Sequence, residues 1–543
     1  MAKKNAAWTV MVYLAGDNNL STECMFALTE MKQANLGKHV NVIAQFDPSD
    51  PHLPTHRYVI KRRGKNKSFR RDIVDQACYF DDNGEIKFGK ESNCAQTLAA
   101  DRKRERDLRL ATWSEAYLTG SPQREPLNIY DTDSGSPVTL YNFISFCIQE
   151  YPADHYLVVL SGHAAGTERD YLMKDESSTC SLTFNEMKRV FERVRKDLGR
   201  PIDIVGMDTC LMSMAEICYE LRGSAEIVIG CESFSPASGW PYREVLERLA
   251  NDFVEPSVRP GESLVQAAAK AIVKEYVNYY SNYWIAGLSV TQSALNVCKV
   301  EKLHEVINEL ARRMERQLIA ERSGTPPNGG GRQFQDALLL AHWEAQSYNG
   351  EQFVDLFDFC DCLQARLGGG TIAEQCQAVK DFLRSEFVLA SCYSGAAYQY
   401  SYGVSLYFPW SYVALSYWNL DFVKAGKGSG WGSFLKTYTL LTRRAPRGMD
   451  AESQLAQALN DRIASSLSSE PVDDEHMSLY RMGIDRMGID RMGIDRMGID
   501  RMNAGVARNY IHSMRNPPNV FFPDECIRKR RSALLTQEML RLR

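Results

Sequence analysis

Two short apolar runs, each ending in a residue with imidazole or thiol chemistry, constrain this chain more than any other feature. The first, HYLVVLSGHAAG, carries His163, and the second, PIDIVGMDTCLMSMAEICYEL, carries Cys210. Their aliphatic and β-branched content predicts buried strands. NEMKRVFERVRKDLG lies between them at helical spacing, so the unit reads strand–helix–strand and implies a parallel sheet. In an open α/β sheet, ligands bind outside the carboxyl ends of the strands. Both residues fall at such an end.

A thiol needs a base or a positive field to become a useful nucleophile. Leu211, Met214, Ala215, Cys218 and Leu221 recur on one helical face, which predicts that Cys210 sits at a helix N-terminus. There, unpaired N–H groups would favour a thiolate and could stabilise an oxyanion. His163 lies in a turn of small residues, Ser161-Gly162-His163-Ala164-Ala165-Gly166, which admits a substrate backbone. One cysteine among fourteen is more often core filler than nucleophile, and a histidine there could simply cap a strand end. The matched placement of the two favours a catalytic pair.

The same logic orders the rest of the chain. Val10 to Leu14 and VNVIAQFD (Val40 to Asp47) read as strands, with the helical STECMFALTEMKQAN between them. Residues from about 61 to 125 are polar, charged and irregular, and read as an insertion with some helix. TLYNFISFCIQEYP is a helix ended by Pro152, and AEIVIGCES a further strand. YWIAGLSVTQ (Tyr283 to Gln292) and YGVSLYFPW (Tyr402 to Trp410) are expected as later strands of the same sheet, with largely helical sequence between them. Three regions result: 1–250 as the core with its insertion, 251–447 with further strands and a helical insertion, and 448–543 as a flexible tail.

The tail contains MGIDR four times from Met482. A period of five fits neither helix nor strand, so a flexible linker is expected. It also offers Arg-Met bonds after Arg481, Arg486, Arg491, Arg496 and Arg501.

Net charge is −4 over 543 residues, so no global pull toward nucleic acid or membrane follows. Basic clusters, such as KRRGKNKSFRR from Lys61, read as solvated loops that a protease cutting after Arg or Lys would find easily. The apolar run TVMVYLAG near the start is too short for a membrane span and lacks a signal-peptide cleavage site. With no CxxC spacing and no export signal, reduced thiols and a cytoplasmic location are expected. In AHWEAQSYNGEQFVDLFDFCDCL, His342, Glu344, Asp355, Asp358 and Asp361 suggest a metal, but Trp343, Phe353, Leu356, Phe357 and Phe359 read as a packed helical face. No phosphate-binding fingerprint follows a strand, which argues against a flavodoxin-like binding module.

WTVMVYLAGDNNL, NIYDTDSGSPVTLYNFI, YPADHYLVVLSGH, DIVGMDTCLMSMAEICYEL, Gly239-Trp240-Pro241-Tyr242 and GVSLYFP together resemble the clostripain family of cysteine peptidases (family C11, in the caspase-like clan CD). The similarity runs in family order from residue 8 to about 410. The 47-residue separation of His163 from Cys210 also agrees with the caspase-type spacing of about 50. The resemblance implies an α/β, caspase-like (caspase–haemoglobinase) fold: a mostly parallel sheet flanked by helices, with helical insertions and a flexible C-terminal tail.

It further implies a cysteine endopeptidase cutting after Arg, and less specifically Lys. His163 is then the base, Cys210 the nucleophile, and the N–H groups of Ala164 and Cys210 the oxyanion hole. Asp208 would line the first specificity pocket. Relatives place a second acid near Ser238, where this chain has none, so Glu232 is the candidate substitute. Maturation by cutting the loop between histidine and cysteine points to Arg169 and Lys174, by self-cleavage or by an upstream protease in a defence or cell-death cascade. Protein substrates are the expected partners, and no cofactor is expected, with calcium implied only by resemblance. Ala164, usually glycine in the family, and the missing acid support an alternative: an inactive caspase-like scaffold acting through protein binding.

Overall fold

The computed structural model describes residues 6–49, 55–60, 74–80, 86–88, 132–168, 170–254, 262–281, 289–322, 333–349, 352–410, 412–442 and 519–520. Arg169, the five arginines of the MGIDR tail and most of the 61–125 insertion lie outside these residues.

The chain opens with β1 (Ala6–Gly16), α1 (Ser21–Gln33) and β2 (Val40–Pro48), with β1 and β2 parallel. Beyond β2 the strands β3 (His56–Ile60), β4 (Val74–Phe80) and β5 (Ile86–Phe88) follow one another antiparallel, two of them inside the stretch read as an irregular insertion. Next come α2 (Pro137–Glu150) and β6 (Ala153–Ser161). A small ribbon, β7 (Leu172–Asp175) and β8 (Cys180–Leu182), leads into α3 (Phe184–Leu198). Then follow β9 (Ile202–Asp208), α4 (Ala215–Glu220), β10 (Ala225–Gly230), α5 (Tyr242–Asp252) and α6 (Leu264–Ser281).

Strand β11 (Val290–Asn296) returns to the sheet antiparallel to β10. The helices α7 (Val300–Arg322), α8 (Gln333–Glu344), α9 (Leu356–Leu367) and α10 (Thr371–Phe382) come after it. The short strands β12 (Ser347–Tyr348), β13 (Phe353–Asp355) and β15 (Ser405–Tyr407) form a separate three-stranded sheet. The main sheet is completed by β14 (Val388–Ser394) and β16 (Asn519–Val520), in the order β16-β14-β11-β10-β9-β6-β1-β2-β3-β4-β5. Its middle, β10-β9-β6-β1-β2, is parallel throughout. The fold is the caspase-like α/β sheet that the resemblance implies.

Strand periodicity divides the core into two layers, because successive side chains of a strand point to opposite faces. Val10, Val12, Leu14, Leu157, Val159, Ile204 and Ile229 pack with α1, α5 and α6. Met11, Tyr13, Val158, Leu160, Val205, Met207 and Val228 pack on the other face with α2, α3 and α7. Helix α3 is delimited as its sequence dictates: a capping box joins Thr183 and Glu186, and Gly199 closes it at φ 78°.

Two expectations are corrected. The run from Tyr402 to Trp410 is not in the main sheet: Ser405–Tyr407 pairs with Phe353–Asp355, and the Ser405 N–H donates to the Ser213 carbonyl at 2.9 Å. Its place in the main sheet is taken by Val388–Ser394, which follows helical sequence directly and gives no turn signal. The strand expected over Tyr283 to Gln292 is centred later, at Val290–Asn296.

Candidate active site

Strands β6 and β9 end in register beside β1. Leu14 of β1 pairs with Ser161 of β6, and Ser161 pairs with Asp208 of β9. His163 and Cys210 each lie two residues past that line, so the parallel sheet itself brings the imidazole and the thiol to neighbouring positions on one edge. His163 is 6% exposed and Cys210 3% exposed.

Cys210 does not open a helix, which corrects the expectation. The residues after β9 form a turn in which Leu211 has φ 59°, and α4 begins only at Ala215. The turn is fastened to the segment after β10: Leu211 N–H donates to the Ser233 carbonyl at 2.9 Å, and Met212 and Ser213 donate to that of Cys231 at 3.0 and 2.9 Å. These donors are consumed and offer no macrodipole to the sulfur. The sulfur instead accepts the Ser235 N–H at 3.4 Å. Beneath it, Cys231 donates to the carbonyls of Thr209 and Ser233, both at 3.1 Å, and burial pushes its thiol pKa up, so it is a structural thiol.

His163 is held from two sides. Its Nε2 lies 2.6 Å from Asn19 Oδ1, and its carbonyl accepts the Met173 N–H at 2.8 Å. Ala164 forms an antiparallel bridge with Leu172. Backbone groups alternate sides along such a pairing, so with His163 facing the ribbon the Ala164 N–H faces away from it.

Asp208 is 1% exposed, and its Oδ2 accepts the hydroxyls of Ser161 at 2.9 Å and Tyr242 at 2.8 Å. Burial, with Asp208 beside it, pushes the Tyr242 phenol well up, so it stays a donor. Gly239, at φ 68°, closes over the carboxylate: a Cβ there would stand 2.7 Å from Oδ2. Where relatives place a second acid, Ser238 and Tyr280 share a hydrogen bond at 2.8 Å.

Glu232 is not part of this pocket, which corrects its assignment. It is fully buried, its Oε2 accepts the Gly403 N–H at 2.9 Å, and its carboxyl meets that of Asp355. The two carboxyls share a hydrogen bond, which needs a proton on one of them, and the Tyr348 hydroxyl bonds Glu232 as well. Burial pushes Glu232 up to about 7, and burial together with Glu232 pushes Asp355 well up.

Lys174 lies in β7, and its side chain is 31% exposed, 3.9 Å from Glu176. Its carbonyl accepts Asn18 Nδ2 at 2.8 Å, while Asp175 accepts the N–H groups of Ser134 and Ser178. The Lys174–Asp175 bond is therefore built into the ribbon on both sides.

In the Asp17-Asn18-Asn19 turn, Asp17 Oδ2 accepts Ser177 N–H, Asn18 Oδ1 accepts Leu20 N–H, and Asn19 Oδ1 meets His163. No cluster of three His, Cys, Asp or Glu suited to a metal occurs among the described residues. His342 is stacked between Phe408 and Trp410 with Nδ1 2.7 Å from the Tyr438 hydroxyl, and Asp355 caps α9 through the Asp358 N–H. No helix among the described residues is long and apolar enough to cross a membrane.

Sequence reasoning missed Asn19, Ser235, Tyr242 and Tyr280 as neighbours of the site. Asn19 had a signal: GDNNL follows β1 at the same sheet edge. The tyrosines lie on helices at core spacing, where nothing separates a pocket wall from packing.

A parallel sheet presenting a histidine and a cysteine past adjacent strand ends defines a caspase-like α/β fold with a thiol at its active edge. The chain belongs to the clostripain family, whose profile matches residues 12–438. Clostripain from Hathewaya histolytica is 24% identical over 262 residues, covering 45% of this chain and 43% of that relative's length. A secreted C11 cysteine protease from Bacteroides thetaiotaomicron, solved with an irreversible peptide inhibitor, superposes with a TM-score of 0.50 at 16% identity, over 78% of this chain and 98% of that one. An inactive zymogen C11 protease from Parabacteroides distasonis gives 0.48 at 18% identity, over 78% and 99%.

Proposed function

We propose that this protein is a cysteine endopeptidase that cleaves after Arg, and less efficiently after Lys. The observation that carries the reading is the common register of β6 and β9, which delivers His163 and Cys210 to one edge beside a buried Asp208. Cys210 attacks the scissile carbonyl, and the Ser235 N–H faces the sulfur that bears the charge. His163 takes the thiol proton and returns it to the leaving amine. The developing oxyanion is met by the N–H groups of Cys210 and Ala164. Water then resolves the acyl-enzyme through the same imidazole. Asp208 supplies the carboxylate that a guanidinium pairs with bidentately and an ammonium does not.

The uncut chain is read as a zymogen. Gly239 closes over Asp208, and the Lys174 bond lies within a paired ribbon, so cleavage after Lys174 or Arg169 requires the ribbon to open first. The cut is made by Cys210 itself or by an upstream protease, and a place in a defence or cell-death cascade and a cytoplasmic location are part of this reading. The test is Cys210→Ala, which abolishes hydrolysis of an Arg-ended fluorogenic peptide while keeping the parent melting temperature. Hydrolysis retained in that variant excludes the reading and favours the inactive scaffold or another nucleophile.

A further inference from the structure

The Asp17-Asn18-Asn19 turn leaves β1 at the same edge as His163 and Cys210, and the reaction steps proposed above assign it no role. Its groups nonetheless close a circuit of hydrogen bonds. Asn19 Oδ1 meets His163 Nε2 at 2.6 Å. Asn18 Nδ2 donates to the carbonyls of Lys174 at 2.8 Å and Ala15 at 3.0 Å. The Asp17 carbonyl accepts the Glu176 N–H at 2.8 Å, and its Oδ2 accepts that of Ser177 at 3.2 Å. The ribbon then returns to the histidine through the Met173 N–H on the His163 carbonyl, at 2.8 Å. The turn thus holds the His163 ring, the ribbon holds the His163 backbone, and turn and ribbon hold each other.

We propose that Asn19 is a positioning residue for His163, and that the β7–β8 ribbon keeps the Asn19 turn in the place from which it acts. The proposal rests on the reading of His163 as the acid–base group. An amide oxygen only accepts, so contact with Asn19 Oδ1 keeps a proton on Nε2 in both charge states of the ring. The neutral ring then has Nδ1 as its lone acceptor, and that nitrogen exchanges the proton with the thiol and the leaving amine. A neutral amide does this without the charge a carboxylate would add. Asn19 itself is exposed, so its own surroundings do not fix it. Asp17 and Asn18, 3% and 2% exposed, supply that rigidity through the ribbon.

The test compares Asn19→Ala, Asn19→Asp and Asn18→Ala with the parent and Cys210→Ala, all in the full chain and checked by thermal melts. Positioning of an acid–base group is worth part of the ~10²–10⁴-fold such a group supplies. Asn19→Ala therefore lowers kcat about 10- to 100-fold with KM nearly unchanged. Asn19→Asp restores the acceptor, recovers most of kcat, and shifts the imidazole limb of the pH profile upward. Asn18→Ala, which touches neither His163 nor Cys210 through its side-chain amide, lowers kcat in the same manner. An unchanged kcat and pH profile in Asn19→Ala overturns the proposal, and an unchanged Asn18→Ala overturns its ribbon half.

Nitrogen NMR of the His163 ring, assigned by loss of its signals in His163→Gln, reads the claim without hydrolysis. The parent shows the Nε2-protonated tautomer and Asn19→Ala shows a tautomer mixture; a parent that is Nδ1-protonated overturns the proposal. Activity retained in Cys210→Ala would instead sink the peptidase reading, so the two failures are distinct.

Discussion

Ser161 and Asp208 face each other as register partners across β6 and β9, and the Ser161 hydroxyl donates to Asp208 Oδ2 at 2.9 Å. The strand pairing that brings His163 and Cys210 to one edge also places Asp208, the proposed pocket acid, there. Hydrogen bonds to a charged group contribute roughly 1.5–3 kcal/mol. Ser161→Ala is expected to lower kcat/KM for an Arg-ended peptide about 10-fold, the equivalent of about 1.4 kcal/mol, while leaving covalent labelling of Cys210 by a small alkylating agent unchanged. Steady-state kinetics beside an alkylation time course check it. Equal losses in both would mean that Ser161 supports the fold, not the pocket.

Gly239 lies against the same carboxylate at φ 68°. A Cβ costs about 1–2 kcal/mol in this backbone region and collides with Asp208 Oδ2 besides. Gly239→Ala should lower the melting temperature and weaken binding of an argininal inhibitor more than binding of one ending in a small apolar residue. Equal effects on both inhibitors would remove Gly239 from the pocket.

The Glu232–Asp355 pair gives a pH dependence with a defined sign. An unfolded glutamate titrates near ~4.3, whereas burial raises Glu232 to about 7. Between these values the folded state binds more protons than the unfolded state, so stability falls as pH rises. The contribution is fully present below about 4.3 and is lost as pH rises through about 7. Glu216, also raised to about 7 by burial, acts in the same direction. Glu232→Gln, which keeps an oxygen to accept from Asp355, should flatten the decline in melting temperature between pH 5.5 and 8. A parallel decline in parent and variant would show that no proton is shared.

On the proposed zymogen reading, the paired ribbon makes activation slow to start. Intact-mass analysis during incubation should show cleavage after Lys174 or Arg169 preceding the rise in activity, and Lys174→Ala together with Arg169→Ala should hold the chain uncut and weakly active. Full activity in a chain of unbroken mass would contradict the zymogen reading.

Much of the fold was legible in the sequence because parallel sheets write plainly there. Their strands are buried on both faces, so β1, β2, β6, β9 and β10 appear as continuous aliphatic runs, and the strand ends marked His163 and Cys210. The helix predicted at Cys210 failed for a local reason. The spacing of Leu211 and Met214 with α4 is real, but Leu211 adopts a positive φ and the turn bonds to residues 231–233. Such long-range bonding leaves no periodic trace. The strand Ser405–Tyr407 was recognised as a strand but misplaced, since its partners are the Cys210 turn and β13. Glu232 was misread because acidity alone cannot tell a pocket wall from a buried carboxyl pair. Asn19 stood in view as an oxygen-rich turn, and only the fold showed which group those oxygens meet.

The central claim is that Cys210 is the nucleophile of an Arg-selective thiol peptidase. An arginyl chloromethylketone reacted with the processed chain, with peptide mapping of the product, tests it most directly. The account predicts one adduct, on Cys210, lost in His163→Ala and outcompeted by an Arg-ended peptide but not by its Glu-ended counterpart. No adduct, or one on another cysteine with Cys210 unmodified, would contradict it.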